Sequence, residues 1–245
     1  MAFRAPRRHR HCGGSVTAGP ENRCLPDPTS NTASRTRSTA IIISAKHGQS
    51  PTDPADLKRV PDAPIIAAVN AAWTAAHPGA GALVAFSTDD DGMLWWLSDR
   101  SQAAADFVKN YLLTHDAAGN DISGSPITVS ASGLTQVYAG AESAAYFGVP
   151  VSDPRHPDIF GIVQHGVVYT GGKGKIAEHG GAGFQDRNVP ILVVVPGMRQ
   201  GEQIGAQVET TQIAPTILRL LGLNPYALQA VQIEHTQVLP GLRRH

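Results

Sequence analysis

Apolar residues in this chain fall into short runs separated by polar turns rich in glycine, proline and aspartate. The run Ile41-Ile42-Ile43 stops at the turn Ser44-Ala45-Lys46-His47-Gly48-Gln49-Ser50-Pro51, and strand ends of this kind are where open α/β sheets keep their active sites. Asp53 ahead of Pro54 predicts a short helix with a carboxylate cap. Pro64 opens a helix to about Ala76 with Ile66, Val69, Trp73 and Ala76 on one face, ended by Pro78-Gly79. Ala82 to Phe86 and Met93 to Leu97 read as strands of a hairpin turned at Asp89-Asp90-Asp91-Gly92. Between Ser101 and Leu113, Ala104, Phe107, Val108, Tyr111 and Leu112 recur at helical spacing. Thr135 to Ala139 is a strand, Glu142 to Phe147 a short helix closed by Gly148, and Ile159 to Val163 and Val167 to Tyr169 are further strands. Pro190 to Val195 is a continuous apolar run, the pattern of a strand covered on both faces. Thr211 to Leu221 predicts the last firm helix, with Ile213, Ile217, Leu220 and Leu221 inward and Gly222 at its end.

This alternation of strand and helix patterns predicts an α/β fold. The 245 residues suffice for one domain with a sizeable core. Charge is balanced overall but unevenly spread: up to Arg37 there are seven Arg against Glu21 and Asp27, so the remainder is net acidic. Residues 1–38 carry almost no aliphatic side chain and cannot bury enough surface to offset their ordering entropy, so a disordered basic lead is expected there. Such a lead is read as a solvated tail, against a nucleic-acid-binding arm, a targeting peptide or a non-native start. It has no apolar stretch of the kind a secretory signal needs. Cys12 and Cys24 both lie in it, which leaves the rest of the chain without a disulfide framework or cysteine metal cluster. No run is long enough to cross a membrane.

The second chemically suggestive segment is Ala177-Glu178-His179-Gly180-Gly181, a histidine in a glycine-rich loop just before the Val189 to Gly197 run. Together with Ser-Ala-Lys-His-Gly at 44–48 and Thr210-Thr211-Gln212-Ile213-Ala214-Pro215-Thr216-Ile217-Leu218, it resembles the alkaline phosphatase superfamily, and within it the type I phosphodiesterase/nucleotide pyrophosphatase group. The resemblance runs from about Ser38 to Leu242 and leaves out the first part of that fold. It implies a mainly parallel sheet flanked by helices over 39–245, with an inserted cap at about 60–148 shaping a substrate cleft. It also implies hydrolysis of a small phosphate ester with two divalent metals, commonly zinc, and a Thr or Ser nucleophile. On that pattern His47 and His179 each ligate a different metal. Lys46 stands where the family carries an aspartate. A protonated ammonium offers donors and no lone pair, so either the second metal is weak or absent, or Lys46 is a fixed positive charge facing the substrate phosphate. The family's nucleophile and remaining ligands precede this turn, and no matching strand is found in residues 1–40. The chain is therefore expected to be the C-terminal portion of a metal-dependent phosphodiesterase or phosphatase without its nucleophile; the alternative is an inactive remnant or binding module. No nucleic-acid or membrane partner is expected. The family is often periplasmic or secreted, and the sequence fixes neither compartment nor oligomeric state.

Other motifs take plainer readings. Asp89-Asp90-Asp91-Gly92 lacks the alternating ligands and distant Glu of an EF-hand and reads as an acidic turn. Gly171-Gly172-Lys173-Gly174-Lys175 lacks Walker-loop spacing, although its lysines could help hold a phosphate. Trp95 and Trp96 are strand neighbours and so face opposite ways, one into the core. His77, His115, His156, His165 and His235 have no partner at ligand spacing and read as solvated or structural. Cys24-Leu25-Pro26-Asp27-Pro28 has Pro28 where a sulfatase segment needs Arg, and Lys46-His47-Gly48-Gln49 does not match the phosphoglycerate mutase segment.

Overall fold

The structure is a computed structural model describing residues 2–4, 39–198 and 201–242. In chain order the elements are β1 (Ala2–Arg4), β2 (Thr39–Ser44), β3 (Lys58–Val60), α1 (Asp62–Ala76), β4 (Val84–Asp89), β5 (Met93–Leu97), α2 (Gln102–Thr114), β6 (Ala117–Asn120), β7 (Pro126–Val129), β8 (Leu134–Ala139), α3 (Ala141–Tyr146), β9 (Ile159–Val163), β10 (Val167–Tyr169), α4 (Phe184–Arg187), β11 (Ile191–Val194), α5 (Ile213–Leu220) and α6 (Gln229–Glu234). The chain is thus α/β, with mixed sheets and helices. It divides into two compact units, one made of Met1–Lys46 with Pro190–His245 and the other of His47–Val189. The inserted unit is therefore wider than the expected cap at about 60–148. Of the basic lead, Ala2–Arg4 pair as a strand, and the rest of residues 1–38 lies outside the described residues.

The mainly parallel sheet is corrected. Among the described strands only β3 and β10 pair in parallel, and every other pairing is antiparallel. The connections explain much of this, because a parallel neighbour needs a crossover of a dozen residues or more, whereas β4–β5 and β6–β7 are joined by tight turns. In the terminal unit the sheet order is β1-β2-β11, with β11 antiparallel to β2. The expectation that the Pro190 to Val195 run is covered on both faces also fails. Cross-strand partners Leu192 and Ile43, and Val194 and Ile41, are all exposed, because on a pleated strand alternate residues take opposite faces and this face is not covered.

In the same unit α5 buries Pro215 and Thr216, while Ile213, Ile217, Leu220 and Leu221 are only half-buried, a correction to the expected inward face. Thr216 is fully buried; its hydroxyl donates to the Gln212 carbonyl at 2.6 Å and accepts from the Leu239 N–H at 2.8 Å. Thr216→Val keeps the shape but leaves a buried N–H unpaired, so it is expected to lower unfolding free energy by about 1–3 kcal/mol. Urea unfolding with no shift in midpoint would show that the bond to Leu239 contributes nothing.

The inserted unit carries two four-stranded sheets, β10-β3-β6-β7 and β4-β5-β9-β8. Its core joins both sheets to one face each of α1 and α2, through Val60, Ile65, Val69, Trp73, Trp95 and Leu112 among others. The helix starts follow local chemistry: the Ser101 hydroxyl accepts from Ala104 N–H at 3.2 Å ahead of α2, and Asp53 accepts from Ala55 N–H at 2.9 Å before a single 3-10 turn. Asn70 on α1 accepts from the N–H groups of Leu83 and Val84 at 2.8 and 2.9 Å, which fixes the entry of β4 beside the helix. Strand β5 alternates cleanly, with Met93, Trp95 and Leu97 inward and Trp96 on the opposite face near Phe86.

Candidate metal centre

Two loops of the inserted unit are tied together by backbone pairing. Ser50 and Glu178 form an isolated antiparallel bridge, Ser50 N–H to Glu178 O at 3.1 Å and Glu178 N–H to Ser50 O at 2.9 Å, and Gly48 N–H donates to Asp186 O at 2.7 Å. These bonds carry His47 and His179 to the same place: their rings stack with centroids 4.8 Å apart and planes 24° from parallel. His47 is half-buried and His179 exposed. Nδ1 of His47 lies 2.7 Å from its neighbour's carbonyl, Gly48 O, so the tautomer with the proton on Nδ1 leaves Nε2 with its lone pair available. Nε2 of His179 is 3.9 Å from Glu178 Oε1.

The third residue singled out by sequence, Lys46, is exposed and belongs to the other unit. Lys175 of the glycine-rich loop is ion-paired to Glu178 and, at 3.1 Å, to Asp90, which occupies the ammonium that could have met a phosphate. Four other described histidines have local partners. His77 stacks on Trp73, His115 stacks on Tyr111, His156 is buried with Nδ1 2.8 Å from Pro157 O, and His165 pairs with Asp56 at 2.8 Å.

Sequence reading missed the carboxylates beside this site. The three aspartates of the hairpin turn separate. Asp89 takes the Trp95 indole N–H on both oxygens, at 3.0 and 2.9 Å, and Asp90 meets Lys175. Asp91 is fully buried, and its backbone N–H donates to His179 O at 3.4 Å. Burial first, and then the neighbouring Asp186, push the Asp91 carboxyl up to about 9. Asp186 is itself buried and accepts from the Ser50 hydroxyl at 3.1 Å and the Gly183 N–H at 3.0 Å. Within the sequence only the strand alternation after Asp89 hinted that neighbouring aspartates would face different surroundings.

Among the described residues no group of three or more His, Cys, Asp or Glu is arranged to hold a metal ion. The imidazole pair therefore suits a divalent cation in donor type and falls short in number, since zinc sites usually have at least three protein ligands. No catalytic step is derived through a metal here. No helix of the described residues is long and apolar enough to cross a membrane. No family model and no curated protein matches the chain.

Proposed function

We propose that His47 and His179 are the imidazole part of a zinc-type centre in a chain related to the metal-dependent phosphodiesterases and phosphatases of the alkaline phosphatase superfamily, acting on a phosphate ester. The observation that carries this reading is the juxtaposition itself: two histidines far apart in sequence, each in a glycine-flanked loop, stack at 4.8 Å. An alkaline-phosphatase-like α/β domain belongs to the same proposal, resting on the motifs around 44–48, 177–181 and 210–218. No residue of 39–242 is assigned the nucleophile, so the chemistry claimed for this chain is binding of metal and phosphate ester. The shortage of ligands favours a second reading, a binding module that keeps the imidazoles without turnover.

Zinc titration of the full chain, beside a His47→Ala, His179→Ala double variant, tests both. Weak zinc binding is expected in the parent and none in the double variant, with an activated nitrophenyl phosphodiester hydrolysed no faster by the parent than by the variant. Equal zinc binding by the two proteins would remove the centre. Parent turnover abolished in the double variant would show that a nucleophile is present and make the chain an enzyme.

A further inference from the structure

Asp91 and Asp186 form a cluster that the imidazole reading does not use. Asp91 is completely buried, and its carboxyl lies beside the Asp186 carboxyl and the Ser50 hydroxyl without a hydrogen bond of ordinary donor geometry to either of its oxygens. Asp186 is served differently, with a donor on each oxygen from Ser50 and Gly183. Glu178 adds further negative charge nearby, and the adjacent ammonium, Lys175, is already engaged by Asp90 and Glu178. A buried carboxyl without a donor is costly, and in native proteins such groups are compensated.

The backbone limits what the compensation can be. A side chain at Gly181 would overlap the Asp91 carbonyl and start 2.5 Å from Asp186 Oδ2, and one at Gly92 would start 3.3 Å from Gly180 O. The main chain of Gly181 thus packs directly on the pair. The donors are all oxygens, the set preferred by hard cations and not by zinc.

We infer that Asp91 and Asp186, with the Ser50 hydroxyl, form a site for one divalent oxygen-preferring cation of the magnesium, calcium or manganese class. Magnesium is commonly held by one or two carboxylates, with water completing its shell. This site is independent of the phosphoesterase reading, and its test is run with the imidazoles removed. Manganese serves as the paramagnetic probe on the 245-residue chain carrying His47→Ala and His179→Ala. The expected result is one bound ion per chain, displaced by magnesium, with a rise in Tm of about 2–5 °C at saturation. Asp91→Asn is expected to weaken binding about tenfold or more and to cancel that rise. Absence of stoichiometric binding up to about 10 mM, well above the Kd of weak oxygen sites, would overturn the site and leave a proton shared by the two carboxyls. Undiminished binding by Asp91→Asn would overturn it equally. Should Asp91→Asn fail to fold, Asp186→Asn takes its place, and the stoichiometry on the histidine-free chain still decides.

Discussion

Gly181→Ala is expected to lower stability by about 3 kcal/mol and to separate the stacked histidines. The new methyl group would overlap the Asp91 carbonyl and approach Asp186 Oδ2 at 2.5 Å and Asp186 Cγ at 3.0 Å. None of these atoms belongs to a flexible side-chain end: one is main chain, and the others are pinned by Ser50 and Gly183. The loop must shift instead, and the 3.4 Å bond from Asp91 N–H to His179 O shifts with it. Two neighbouring glycines calibrate the effect. Gly180 has φ +101° and open space around it, so Gly180→Ala pays only the left-handed backbone strain of about 1–2 kcal/mol. Gly171 has neither a positive φ nor a neighbour within 4 Å, and its alanine variant is expected within about 0.5 kcal/mol of the parent. Denaturation of the three variants, with imidazole NMR shifts of His47 and His179 as the local readout, checks the order 181, then 180, then 171. A Gly181→Ala protein with parental stability would show that the loop does not pack on Asp91 as described.

What the sequence made legible here followed from periodicity, and what it hid followed from pairing. The β9 and β10 bounds, the Asp53 cap and the opposite facing of Trp95 and Trp96 all depend on residues a few positions apart. Strand direction depends on a partner that period-two alternation does not name, which is why β2 and β11 read as parallel-type strands yet pair antiparallel. On α1, Val69 and Trp73 are buried as expected, whereas Ala76 is exposed. The helix begins at Asp62 after Pro61, ahead of the proline taken as its start, and Ile65 is buried more deeply than Ile66. Strand β3 was missed because it reads as charged: Lys58 is half-buried and Arg59 buried, with the guanidinium bonded to the carbonyls of Lys175, Asp121 and Ile122. At the candidate centre the histidines stood out through their glycine-rich turns. Asp91 and Asp186 did not, since nothing near either in sequence distinguishes a buried aspartate from a turn aspartate.

Trp95→Ala is expected to be among the most destabilising single changes in the inserted unit, at about 3–5 kcal/mol, because Trp95 is fully buried between strands and helices of one core. Trp95→Phe separates packing from the polar bond. It keeps most of the apolar volume and deletes the indole N–H that both Asp89 oxygens share. Burial pushes the Asp89 carboxyl up to about 7, against the opposing pull of the Trp95 N–H. A carboxyl raised on folding holds its proton in the folded state while the unfolded chain has lost it. Its contribution to stability therefore falls as pH rises from about 4 to about 7 and is level beyond. Loss of the N–H removes the one side-chain bond that favours the ionised form, so Trp95→Phe should cost more near pH 8, where Asp89 is charged, than near pH 5, where it is neutral, by about 1–2 kcal/mol. Adding Asp89→Asn should flatten that difference, since no charge then remains to be stabilised. A Trp95→Phe penalty that is the same at both pH values would mean that the indole fills space and does not hold the carboxylate.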